Sequence, residues 1–311
     1  MSLSRVSSSP SLLVSDIKSF IDINSRSLNS KNNNVRENII ARIFNCPSSF
    51  FTDSEYGIYW STIRDKLEDA LYSCFPSTCS PYTFSILQKG GMNCNHDFEI
   101  STQHLEIKNI LIEFKHNATT VKKLPQILEL YDRDLCGNKY RMTSYSYSEF
   151  YYDNYLSRYL NFDKMSDNII EVPEKDVYLK HISDTKYRHP FFHYLYVNRD
   201  SHKVLKHRLV EQSKKEYLET YSSTFRFEGI EEKLRQSQGE KVYLMWDKTN
   251  FRIEQSEMSN IRITGIKDKS LTHSCFDIDV ENASYNLRVR LNWGNNNGIA
   301  NPRWKIGYVC K

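Results

Sequence analysis

The chain has 311 residues, with 42 basic against 38 acidic side chains and a formal net charge of +4. A hydrophobic share of 39% and a charged share of 26% describe a globular protein and exclude a disordered or fibrous one. No apolar run reaches the ~20 residues of a bilayer span, so no membrane partner is expected. The first residues lack the pattern of a secretory leader. Seven scattered cysteines without a C-x-x-C pair point to a reducing, intracellular setting rather than a disulfide framework. Cys74, Cys79, Cys94 and His96 read as buried thiols beside a histidine rather than a zinc set.

Residues 1–34 are rich in Ser and Asn and are expected to form a tail and linker around one short amphipathic stretch. Ile39, Ile40, Ile43 and Phe44 then recur at helical spacing. Residues 54–75 predict the longest convincing helix, with Trp60, Ile63, Leu67, Leu71 and Cys74 as its apolar stripe. Glu68 flanks that stripe, and Arg64 and Lys66 are near enough to pair with it. Residues 82–88 read as a strand, ended by a Lys89-Gly90-Gly91 turn.

The stretch that carries chemistry is 93–115. Asp97 lies in the short strand-like run 94–100, and Glu113 and Lys115 close the apolar run 110–115 as E-x-K. Residues two apart on a strand share a face. With the two strands side by side, Asp97, Glu113 and Lys115 converge. A carboxylate inside an apolar strand needs a cation or donors; two hard oxygen ligands suit Mg²⁺ or Mn²⁺, and a lysine can orient water. A second E-x-K, Glu106 with Lys108, falls near the presumed hairpin turn, where it reads as a solvated pair. Glu99 shares the parity of Asp97 and is a possible further ligand. His96 and His116 are expected to point to the opposite faces.

After Lys115, residues 124–135 read as a helix starting near Pro125, with Gln126 in its first turn. Residues 141–162 are dense in aromatics, and Phe150, Tyr151, Tyr155 and Tyr159 read as a core helix face rather than a base-stacking surface. Residues 163–190 are polar and loop-rich, and the segment up to 221 is rich in Lys, Arg and His. From 241 onward short β-branched and aromatic runs predict strands, with Arg288 and Arg290 on one face and Leu287, Val289 and Leu291 on the other. Residues 294–298 are expected to turn the final hairpin. Phosphate-cradling glycine motifs and a G-x-S-x-G elbow are absent from the sequence.

Asp97, Glu113 and Lys115, with the order helix, strand, strand, strand, helix, resemble the PD-(D/E)xK nuclease superfamily, although His96 stands where that signature has proline. The resemblance covers residues 55–135. It implies a restriction-endonuclease-like α/β/α core on a mixed sheet, phosphodiester hydrolysis with Mg²⁺ or Mn²⁺, and a nucleic-acid partner, DNA in preference to RNA. It further implies Asp97 and Glu113 as metal ligands, Lys115 at the attacking water, Glu68 as a helix-borne ligand and Gln126 as an auxiliary contact. The expected division is a tail at 1–34, a nuclease-like α/β core at 35–162 and an α+β, C-terminally β-rich elaboration at 163–311. A binding module without cleavage, or a protein-interaction module on the C-terminal strands, is the alternative.

Overall fold

The computed structural model describes residues 26–45, 57–73, 84–89, 94–102, 109–124, 126–135, 140–143, 145–156, 171–183, 189–197, 200, 203–267, 274–294 and 301–310. In chain order these form α1 (Arg26–Asn45), α2 (Gly57–Tyr72), β1 (Phe84–Gln88), β2 (Phe98–Thr102), β3 (Ile110–His116) and β4 (Leu128–Tyr131). There follow α3 (Asp132–Leu135), α4 (Tyr147–Tyr151, continued by a π turn Tyr152–Leu156), α5 (Lys175–Ser183), α6 (Pro190–Val197), α7 (Lys203–Tyr221) and α8 (Glu228–Gln238). The chain closes with β5 (Lys241–Trp246), β6 (Phe251–Gln255), β7 (Ile263–Ile266), β8 (Cys275–Val280), β9 (Tyr285–Gly294) and β10 (Asn301–Cys310). Among the described residues no helix is long and apolar enough to cross a membrane.

The protein is mixed α/β with two sheets and divides into two compact units, residues 1–121 with 239–257, and residues 122–238 with 258–311. The division expected at residue 162 cuts through the second unit, and residues 239–257, assigned from sequence to the C-terminal elaboration, build part of the first. A strand can join a sheet far from its neighbours in sequence, because pairing is decided by packing rather than by chain distance.

The sheet of the first unit has the order β1-β2-β3-β5-β6. It is mixed: β1, β2 and β3 run antiparallel in succession, β3 and β5 are parallel, and β6 returns antiparallel. Residues 122–238 form the connection that a parallel pair requires. One sheet face carries Ile86, Phe98, Ile100, Ile112, Phe114, Val242, Leu244 and Trp246, and it is buried with Ile39, Ile40 and Ile43 of α1 and Trp60, Ile63, Leu67 and Leu71 of α2. The α2 stripe is as the periodicity predicts. Both described helices of this unit lie on that one face, so the three-layer sandwich is not complete within it. Helix α1 also begins before residue 34, in the segment expected as linker; Ser and Asn are mediocre rather than prohibitive helix residues, and extending a nucleated helix is cheap.

The β5–β6 hairpin is set by Asp247. Its carboxylate accepts from the backbone N–H groups of Thr249 (3.0 Å) and Asn250 (2.9 Å) and from Arg252 Nε (3.0 Å). These donors hold the Asp247 carboxyl far below its usual range, led by the Asn250 N–H. The side chain thus supplies the turn that a glycine pair often supplies.

The second unit holds an antiparallel sheet, β4-β10-β9-β8-β7. Strand β4 and the short α3 replace the single helix expected from Pro125, which itself lies outside the described residues. Leu128 and Leu130 are buried while Glu129 and Tyr131 are half-buried, an alternation with the strand period of two, and β4 pairs with β10. Helix α5 likewise occupies part of a segment expected as loop. Helix α4 starts at a capping box, Ser146 with Glu149. Tyr147, Phe150, Tyr151 and Tyr155 are buried, so the core reading of this aromatic segment holds for the described residues; Tyr159 lies outside them. The alternation in β9 is as expected: Leu287, Val289 and Leu291 are buried and Arg290 is exposed. The predicted turn residues 295–298 fall outside the described residues.

Candidate functional site

The central pair β2–β3 places Phe98 opposite Ile112, which sets Asp97, one residue before β2, beside the middle of β3. The expected strand over 94–100 begins later than predicted, and Asp97 occupies a bend. Two hydrogen bonds fix it there. The Asp97 N–H donates to the Ile112 carbonyl at 2.9 Å, and the Phe114 N–H donates to Asp97 Oδ2 at 2.8 Å. One acid is thereby tied to both neighbours of the other, Glu113.

Glu113 shares a sheet face with Lys115, opposite the face that α1 and α2 cover. Lys115 Nζ lies 2.6 Å from Glu113 Oε1, and Lys241 Nζ, from the first residue of β5, lies 3.0 Å from Oε2. Lys241 also donates to the Asn95 carbonyl. Tyr243, paired with Glu113 across the parallel register, is buried on the same face. Burial opposes ionisation of Glu113, but Lys115 and Lys241 together hold its carboxyl below the usual value.

Glu37 of α1 belongs to this cluster. Burial, with the charges of Asp97 and Glu113, pushes its carboxyl up to about 7, against the pull of Lys115 and a hydrogen bond from Gln88. Asp97 is pushed up to about 6, first by burial and then by Glu113, against the Phe114 N–H and the two lysines. Glu113 therefore meets two ammonium groups with Asp97 held beside it, and Glu37 lies in the field of these charges.

The structure brings Asp97, Glu113 and Lys115 together as the spacing predicts. It does not give the same place to the auxiliary residues. Glu68 makes an i,i+4 pair with Arg64 at 2.9 Å on α2, the surface reading of that residue. Gln126 lies in the second unit, before β4 instead of in a helix, and donates to Glu129 at 3.2 Å. Glu99 is engaged by Lys89 at 3.0 Å and by Asn109. His116 shares the parity of the core residues Ile112 and Phe114, as expected. Burial and then the nearby Lys241 lower the pKa of His96. Cys94 is exposed rather than buried. Glu106 and Lys108 lie outside the described residues.

Glu37 and Lys241 were the residues sequence reasoning missed. Glu37 sits beside the Ile39–Ile40–Ile43 stripe, where an acid flanking a buried face reads as solvated. Lys241 opens the apolar run VYLMW; a lysine leading a strand buried along its whole length was the available signal.

The donor set fits a hard divalent cation. Burial, and then neighbouring carboxylates, raise Glu37 and Asp97, and a bound cation would relieve that repulsion. Mg²⁺ and Mn²⁺ commonly take one or two protein carboxylates and fill their remaining positions with water and phosphate oxygens. Among the described residues no group of three or more His, Cys, Asp or Glu is placed to hold a metal ion. Comparison of the chain with family models, with curated proteins and with solved structures returns no match.

Proposed function

We propose that the protein is a divalent-metal-dependent nuclease of the PD-(D/E)xK class that hydrolyses phosphodiester bonds of DNA. The observation that carries this reading is the junction of β2 and β3. There Asp97 is hydrogen-bonded to the residue following Glu113, and Lys115 caps Glu113 from the same strand face. A mixed sheet with two helices on one face and a parallel fourth strand supports it further.

In this reading Asp97 and Glu113 hold Mg²⁺ or Mn²⁺, and Glu37 takes the helix-borne role assigned from sequence to Glu68. The ion, when bound, supplies Lewis acidity at the phosphate and eases deprotonation of water near neutral pH. Lys115 is half-buried, so its ammonium can leave Glu113 to orient the attacking water or to meet charge developing on the phosphate. Partial burial of the carboxylates strengthens each of these interactions relative to bulk water.

Incubation of the purified protein with plasmid, single-stranded DNA and RNA, in Mg²⁺, in Mn²⁺ and in EDTA, tests the reading. Cleavage of DNA that EDTA abolishes is the expected result. Salt-sensitive binding without turnover would replace it with a non-catalytic nucleic-acid module.

A further inference from the structure

Lys241 is the cation at the site that the nuclease reading leaves without a role. Its side chain is 5% exposed, against 30% for Lys115. It arrives from β5, 128 residues beyond Glu113 in sequence. Its Nζ bonds two segments at once: Glu113 Oε2 at 3.0 Å and the backbone carbonyl of Asn95, two residues before Asp97. The ammonium is therefore a strut between the segments that carry the two principal acids, and unlike that of Lys115 it is almost wholly buried.

A pair of catalytic metal ions sits about 3.5–4 Å apart and is bridged by shared carboxylate oxygens. For Glu113 to bridge two ions with one oxygen on each, both its oxygens must be open to cations other than lysine. Oε1 can open when the half-exposed Lys115 moves. Oε2 is held by a buried ammonium whose other partner is a main-chain carbonyl. An ammonium and a divalent ion would compete for that position, and the ammonium is covalently fixed there.

We propose that Lys241 is a positioning residue that takes the place of a second metal ion, so that the site works with a single divalent cation near Asp97 and Glu113. This rests on the metal-dependent reading above and specifies it. Lys241 holds the separation of Asp97 and Glu113, and it supplies the fixed positive charge that a second ion would otherwise bring.

Counting ions tests this without any measurement of cleavage. Mn²⁺ is titrated into the full-length protein by calorimetry, and electron paramagnetic resonance reports whether two bound Mn²⁺ ions are spin-coupled. The wild type is expected to take one ion, uncoupled. Lys241→Met, which keeps the stem and removes the charge, is expected to gain a second ion with the coupled signature. Lys241→Arg keeps the charge and is expected to stay at one; it carries the test if Lys241→Met does not fold, and a second ion in it would overturn the proposal. Two ions in the wild type, or one uncoupled ion in folded Lys241→Met, would overturn the proposal while leaving the metal-dependent reading intact. Absence of Mn²⁺ binding by the wild type would overturn both.

Discussion

The backbone N–H of Phe114 donates to Asp97 Oδ2 at 2.8 Å, so the main chain of β3 itself holds one acid of the site against the other. This bond survives any rotation of Glu113. It makes the spacing of the two carboxyl groups a property of strand pairing.

Replacing Lys115 by Ala is expected to cost about 10²–10³ in cleavage rate, the size of effect seen when one preorganised transition-state donor is removed. Mn²⁺ affinity should persist or rise, because a positive neighbour has gone. Asp97→Ala should lose Mn²⁺ binding, and Lys108→Ala should cleave normally. Rates on DNA and calorimetry with Mn²⁺ decide it. A dead Lys108→Ala beside an active Lys115→Ala would shift the site to Glu106.

Asp97→Asn should separate stability from function. Asparagine can still accept the Phe114 N–H, but it carries no charge to be repelled by Glu113 or penalised by burial. Without divalent ions at pH 8, the variant is expected to be more stable than wild type, on the order of 1 kcal/mol. It should bind Mn²⁺ poorly. Urea unfolding in EDTA measures the first effect; a destabilised variant would mean that the carboxylate is favourably compensated in the fold.

The pH dependence of the metal-free protein should carry the mark of Glu37. Its folded pKa, about 7, lies above the ordinary value of 4.5. Between those values the folded state holds a proton that the unfolded state has lost, so stability falls as pH rises. The contribution is full below about pH 4.5 and is gone above about pH 7. Wild type measured against Glu37→Gln should therefore lose relative stability from pH 5 to pH 8, in EDTA. A difference that stays flat over that range would remove Glu37 from the cluster.

Tyr155 tests the aromatic segment. It is fully buried and stacks on Tyr151 at a centroid distance of 5.9 Å, while Tyr151 meets Trp293 edge-on at 4.6 Å. Tyr155→Ala should cost about 3–5 kcal/mol, as large aromatic truncations in cores do. Denaturant unfolding reads this directly. A variant as stable as wild type that binds DNA weakly would make these rings a nucleic-acid surface.

Local pattern was enough to place α2, β3 and the last three strands, because each has a side-chain period that one face of burial imposes. The i, i+3, i+4 stripe of Trp60, Ile63, Leu67 and Leu71 and the alternation of Leu287, Val289 and Leu291 exist before any tertiary contact forms. The spacing of Glu113 and Lys115 on one strand face was legible for the same reason. Strand β4 was not, since four residues of alternation are too few to outweigh a helical reading, and their pairing with β10 supplies the difference. Lys241 and Glu37 were likewise hidden. Lys241 reaches Glu113 because β5 pairs in parallel with β3 far along the chain, and Glu37 comes into the field of Asp97 because α1 packs on the sheet. Which acids stand alone and which meet a cation is a matter of distance in space, and only the packed sheet sets those distances.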